Sequence, residues 1–204
     1  GRSHINLKKA RRFTRSEMMI MEMLSQNNWQ RPMYFAVSVG PDYYMGLEPY
    51  FECTGMAYRI TPNRSPNNQP RVAVEEMYDN MINKFKYGNC KAEGIYLDEN
   101  TLRMCRTHRM MFSQLAEVLV NRKDYERATI VLDKAFEELP GTNVNYDYTA
   151  ASMAILYLRM GEKQKAEPIL REVAKTRSEY ILWGKSLSKE RRKALKNTLD
   201  HHDA

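Results

Sequence analysis

The sequence predicts a mainly α fold with a small α/β unit over residues 1–66, followed by stacked antiparallel helical hairpins over residues 67–204. Three observations carry that prediction. Small and apolar side chains recur at helical spacing from Arg109 to Pro140, and again from Met153 to Leu170. A run rich in β-formers, Met33 to Val39, is bounded by Pro32 and by Gly40-Pro41. A second such run, Met56 to Thr61, stops at Pro62, so a short parallel sheet of two or three strands should stand beside the first helices.

Taken in order, His4 to Lys9 reads as an extended edge segment. Thr14-Arg-Ser-Glu17 is a capping box that opens a helix through about Ser25. Met18, Met19, Met21, Met23 and Leu24 leave that helix few polar faces, so most of it should be covered, and Asn27-Asn28 ends it. Leu47 to Glu52 reads as a short helix between the two strands. The stretch from Gly40 to Gly55 is just long enough for the crossover a parallel pair needs. Asn63 to Pro70 is polar and turn-rich and is the expected hinge between the halves. Val74, Met77, Tyr78, Met81, Ile82 and Phe85 then predict a helix near 73–86. After a loop over Tyr87 to Leu97, Asp98 should cap a long helix through Val120.

Within that helix and the next, Phe112, Leu115, Ala116, Leu119, Ala128, Leu132, Ala135 and Pro140 follow tetratricopeptide spacing, with Phe112 at the usual Trp position and Leu119 at the usual Tyr. Ala116 and Ala128 allow two helices to approach closely, the larger side chains fill the seam, and Pro140 stops the second helix. Met153, Ala154, Tyr157, Gly161, Ala166 and Leu170 repeat the pattern. Ala128 and Ala166 lie further apart than the roughly 34 residues of a simple array, and the excess fits in Gly141–Asp147, where Asn143, Asn145 and Asp147 can act as caps. Pro168 must fall in the first turns of its helix or kink it. Glu179–Leu187 and Lys189–Leu199 read as two shorter helices that close the stack.

Composition narrows the function classes. Hydrophobic content of 43% and charged content of 28% suit a globular chain. The net charge of +7 concentrates in Lys8–Arg15 and Lys189–Lys196, which lack interleaved aromatics, so nucleic acid is not an expected partner. The 14 Met residues fall mostly at core spacing. Cys53, Cys90 and Cys105 form no CxxC pair and read as small buried hydrophobes, although an oxidising compartment would permit one disulfide. No run approaches the ~20 apolar residues of a membrane span. Gly1 stands where Met would begin a chain, and the expectation is a fragment whose targeting segment lies upstream.

Trp29-x-Arg31-Pro32-x-Tyr34-Phe35-Ala36, Gly55-x-x-Tyr58-Arg59-x-x-Pro62 and Tyr96-Leu97-Asp98-Glu99-Asn100 stand in that order ahead of and within the helical repeats. With them the chain, from about residue 14 to 180, resembles the C-terminal extracytoplasmic region of a large family of Gram-negative membrane proteins related to protein O-mannosyltransferases. The resemblance implies a polytopic N-terminal half similar to GT-C glycosyltransferases that use lipid-linked sugars, with its catalytic acid near the membrane. It places this piece on the periplasmic side of the inner membrane, beside the rest of the parent's membrane region, and carries no catalytic residue onto it.

The candidate sites are binding sites. Trp29, Arg31, Tyr34, Tyr43, Tyr44, Tyr58 and Arg59 cluster around the two strands and would suit a glycan by stacking and by an Arg–hydroxyl contact; core filling is the competing reading. Arg31 could instead satisfy helix C-terminal carbonyls. Arg103, Arg106 and Arg109 form one helical stripe, either a basic groove for an acidic peptide or a phosphate, or a solvated face paired with Asp98, Glu99 or Glu117. Asn143, Asn145, Tyr146, Asp147 and Tyr148 could line the end of a concave face. His108 stands alone, and His201, His202 and Asp203 read as a frayed terminus rather than a metal site. Asp42, Glu48 and Glu52 lack a nucleophile or oxyanion donor nearby, which leaves glycoside hydrolysis the weakest reading. The expected function is a non-catalytic scaffold for a protein, peptide or acceptor substrate, needing no cofactor. The alternatives are a purely structural or dimerising domain, or a carbohydrate-binding or hydrolytic site in the α/β unit.

Overall fold

The computed structural model describes residues 13–194. The expected segment His4–Lys9, the terminal His201, His202 and Asp203, and the residues beyond Ala194 lie outside them. The chain divides into two compact units, Gly1–Gly88 and Asn89–Ala204. The fold class is as expected, mainly α with a small α/β unit, but the dividing point falls after Gly88 rather than at 66.

In the first unit, helix α1 (Arg15–Asn27) starts where the capping box predicts. Thr14 Oγ1 accepts from Glu17 N, and the Glu17 carboxylate accepts from Thr14 N. The carboxylate's pKa falls because that backbone N–H favours its charged form. The helix ends at Asn28, in left-handed conformation. The expectation that its methionines are covered fails: Met18, Met19 and Met23 are about half-exposed or more. Only the stripe carrying Ile20, Met21 and Leu24 turns inward, because three residues per two turns are all that one neighbouring sheet can cover.

The sheet is four-stranded and mixed, in the order β1 (Tyr34–Ala36), β3 (Ala57–Ile60), β2 (Phe51–Cys53), β4 (Arg71–Val72). β1 and β3, expected to be parallel, are antiparallel. The stretch between them is not a crossover helix. It makes two short 3₁₀ turns, at Pro41–Tyr43 and Glu48–Tyr50, and then enters β2, which forms an antiparallel hairpin with β3. The alternation of buried Phe51 and Cys53 about Glu52 is a strand signal outweighed, in the sequence reading, by the helical look of Leu47–Glu52. β1 stops early because Val39 N turns back to Ala36 O.

Asn63–Pro70 is not a hinge between units. Ser65 N donates to Pro49 O, Ser65 Oγ is held by Asn67, and the loop leads into β4, which pairs parallel with β2. Helix α2 (Val74–Asp79), extended by a π turn over Asn80–Lys84, also belongs to this unit. Met77 and Met81 are fully buried, and Asn80 Nδ2 donates to Thr54 O. The core joins Phe35, Tyr44, Leu47, Tyr50, Phe51 and Ile60, with Ile20, Leu24 and Tyr58 packed on them. Phe51 and Tyr58 stack at 5.4 Å.

The second unit pairs helices α3 (Glu99–Asn121) with α4 (Tyr125–Glu138), and α5 (Tyr148–Met160) with α6 (Lys163–Ser186), while α3 also packs on α5. Asp98, Asp124 and Asp147 cap α3, α4 and α5 through their carboxylates. Ala116, Ala128, Ala154 and Ala166 are all fully buried, as close approach of paired helices requires. Asp133 accepts from both the Tyr157 hydroxyl (2.6 Å) and Lys165, tying α4 to α5 and α6. Pro168 sits near the start of α6, which continues without a break to Ser186, so Glu179–Leu187 is not a separate helix. No Gly or Pro separates Pro168 from Gly184, and nothing local interrupts the ladder. A short helix α7 follows over Lys189–Ala194.

Candidate functional site

Three features gather the residues singled out in the sequence. The first is a cleft in the first unit, between α1 and the sheet with its preceding turns. It is lined by Met21, Leu24, Ser25, Trp29, Leu47, Tyr50 and Ile60 and encloses ≈ 240 Å³. Trp29 stands at its edge, 44% exposed, with φ of 60°. That left-handed conformation is unfavourable for a bulky side chain by about 1–2 kcal/mol. It persists because the turn is fixed from both ends. Asn27 Nδ2 donates to Arg31 O (2.6 Å), Arg31 N donates to Asn27 Oδ1 (3.1 Å), and Gln30 N donates to Asn27 O. Arg31 thus enters through its backbone, held by the Asn27 amide. The strained turn leaves an indole beside an apolar recess.

The second feature is a charged row across the sheet. Register places Tyr34 opposite Arg59, Arg59 opposite Glu52, and Glu52 beside Arg71. Arg59 donates to Glu52 and to Glu76 of α2, each at 2.7 Å, and Arg71 lies 3.8 Å from Glu52. The Glu52 contact, chiefly, raises the Arg59 pKa. Arg59 is therefore occupied by two carboxylates and is not poised for a ligand. Glu52, a candidate acid or base by sequence, is the partner of two arginines. Tyr34 is half-exposed at the row's edge, whereas Tyr58 points into the core on the other face. Burial, reinforced by Cys53 and Tyr44, pushes the Tyr58 phenol up to about 12. Of the remaining pair, Tyr44 is buried, its hydroxyl donating to Val39 O at 2.7 Å, and Tyr43 is exposed.

The third feature is in the second unit, where the arginine stripe does not form. Arg103 and Arg106 are exposed, but Arg109 is fully buried. Its guanidinium donates to Leu139 O and Val144 O (2.9 and 2.8 Å) and to Asn145 O (2.9 Å). Asp147 lies 3.7 Å away and the Tyr146 ring 5.3 Å. Burial pulls the Arg109 pKa down and Asp147 opposes it, and a guanidinium keeps its charge throughout. The spacing of three made Arg103 and Arg109 look equivalent, but the turn after Leu139 folds over one of them. Asn143, read as a cap or a concave-face residue, donates to Cys90 O and Ala92 O instead, and Tyr146 packs edge-on against Phe136. Tyr148 is exposed.

The cleft is thus the feature that sets an exposed aromatic beside an apolar recess. Of the residues named from sequence it includes Trp29. The sequence marks Met21 and Leu24 as α1 residues without marking a site, and it does not show Leu47, Tyr50 and Ile60 as lining. The signal for the first pair was present in the inward stripe of α1; for the others it required the antiparallel register. Among the described residues, no group of three His, Cys, Asp or Glu side chains is placed to hold a metal ion, and no helix is long and apolar enough to cross a membrane.

Comparison with known families places a match on the unit that holds the cleft. Residues 2–81 match the family model TMEM260-associated domain 2. The protein that gives this domain its name is glycosyltransferase-related. No curated protein and no solved structure matches the chain at a significant level.

Proposed function

We propose that this chain is a non-catalytic binding part of a glycosyltransferase-like membrane protein, placed on the extracytoplasmic side, and that the Trp29 cleft takes an apolar side chain of a peptide segment. The observation that carries the reading is the cleft's lining. Six of its seven residues are apolar or aromatic, and the other, Ser25, already donates to Glu22 O. A sugar ring brings several hydroxyls that need partners, and leaving such groups buried and unpaired costs about 1–3 kcal/mol each. A Leu, Met or Phe side chain needs none.

The family match supports the glycosyltransferase context, since it lies on the unit with the cleft. The paired helices of the second unit, with alanines at their contacts, support reading it as tetratricopeptide-like and as a rigid platform. A carboxylate-free lining supports a binding role over a hydrolytic one. Titration of the full chain with a Leu- or Phe-bearing peptide, followed by Trp29 fluorescence in a Trp183→Phe background, should shift the emission. Mannose or a manno-oligosaccharide should leave it unchanged. Saturable binding of the sugar but not of the peptide would reverse the assignment.

A second reading has its own observation. Met18, Met19 and Met23 present an exposed apolar face on α1. Covering that face against the parent's membrane region would make the unit structural rather than ligand-binding.

A further inference from the structure

The strongest unassigned cluster lies in the second unit. Cys90 and Cys105 are both buried, and their Sγ atoms stand 3.7 Å apart, in van der Waals contact. They share a small core with Leu139 and Val144, against which Leu97 and Leu102 pack. Cys105 belongs to α3, one turn before Arg109, and Cys90 belongs to the segment that precedes α3. That segment is already tied down: Asn143 donates to the carbonyls of Cys90 and Ala92, and Lys91 pairs with Glu137 and Glu138. The turn between the two hairpins is therefore held on one side by Arg109 and on the other by the Cys90 segment.

We propose that Cys90 and Cys105 form a disulfide that locks this turn. The two sulfurs are already in contact at 3.7 Å, and a bond requires them to close to about 2.05 Å. The bridge would close a loop of 15 residues, the separation of the pair, and would fix the Cys90 segment to α3 while Asn143 carries that constraint to the turn. The third cysteine, Cys53, belongs to β2 of the first unit, where its thiol donates to Gly55 O.

The chemistry balances by thiol–disulfide exchange. One cysteine thiolate attacks an external disulfide, such as oxidised glutathione or a protein disulfide, forms a mixed disulfide and releases one thiol. The second cysteine thiolate then displaces the other thiol. The protein gives up two electrons and two protons, and the external disulfide is reduced to two thiols. Burial, with Cys90 adding to it, pushes the Cys105 thiol up to about 11, so thiolate is scarce once the unit has closed. The bond therefore forms during folding and serves structure, not switching. In the cell it needs an oxidising compartment, which the extracytoplasmic placement proposed above would supply.

The test does not depend on that placement. The full chain is refolded with a glutathione redox buffer, denatured, alkylated and mapped by mass spectrometry without reduction. The expected result is one Cys90–Cys105 linkage and an alkylated Cys53. Reduction should lower the melting temperature by roughly 6–10 °C, whereas Cys90→Ala and Cys105→Ala chains should melt alike with and without reductant. Three alkylated thiols after oxidative refolding, a linkage through Cys53, or a wild-type melting temperature unmoved by reduction would each overturn the proposal. A linkage formed in vitro together with free thiols in chain isolated from cells would instead count against the extracytoplasmic placement alone.

Discussion

The Arg109 guanidinium lies 5.3 Å from the centre of the Tyr146 ring while its N–H groups donate to Leu139, Val144 and Asn145, the carbonyls flanking that ring's own turn. One buried cation thus organises the connection between the two helical hairpins. Arg109→Met should cost about 3–5 kcal/mol in urea denaturation, because three inward carbonyls lose their donor. Arg109→Lys should recover only part of this, since an ammonium lacks the planar spread of donors. By contrast, Arg103→Ala and Arg106→Ala should stay within about 0.5 kcal/mol of the parent chain.

Gly141 reads out the same turn sterically. A Cβ there would meet the Tyr146 ring at 2.9 Å. The ring is pressed between Phe136 and Arg109 and has little room to withdraw. Gly141→Ala should destabilise the unit by about 1–3 kcal/mol, as overpacking does, and speed amide exchange over 139–147. An unchanged chemical denaturation midpoint would show that the ring is freer than its contacts imply.

His108 predicts a pH dependence. Burial lowers its pKa below the ordinary 6.5. The folded chain therefore binds this proton less readily than the unfolded chain. Stability should be steady above about pH 6.5 and should fall as the pH drops below it, towards the folded-state pKa. His108→Gln should flatten that part of the profile, measured as melting temperature from pH 7.5 to 5. A profile identical in both chains would remove His108 as its source.

The half-exposed methionines of α1 should be energetically quiet in the isolated chain. Met19→Gln with Met23→Gln should change stability by less than about 1 kcal/mol. If, as proposed, the chain is part of a larger membrane protein and this face packs against its membrane region, the same pair of substitutions in that protein should reduce its folded yield in membranes. Equal yield would favour the cleft as the sole contact surface of this unit.

The legible parts of the fold were those set by local chemistry. The Thr14–Glu17 capping box, the Asp98 cap and the buried alanines of the paired helices each act within a turn or two, so spacing alone reveals them. The sheet is less legible. Whether Met56–Thr61 runs parallel or antiparallel to Met33–Val39 depends on Phe51–Cys53 taking the strand alternative, and a three-residue strand gives too short a pattern to outweigh a helical one. For the candidate sites the limit was the same. Trp29 was visible as an aromatic beside a strand, but the recess beside it needs Leu47, Tyr50 and Ile60 brought in by tertiary pairing. Arg109 looked like Arg103 because helical spacing says which face a residue is on, not what later folds over that face.

The indole of Trp29 is the most direct probe of the cleft. In the full chain labelled with ¹⁵N, its Nε1–H resonance should shift saturably on addition of a peptide with a central Leu or Phe, and that response should vanish with Ile60→Gln, which makes the recess polar, while Trp183 stays unmoved. A Trp29 resonance that ignores the peptide, with shifts at Arg103 and Arg106 instead, would contradict the cleft as the binding site.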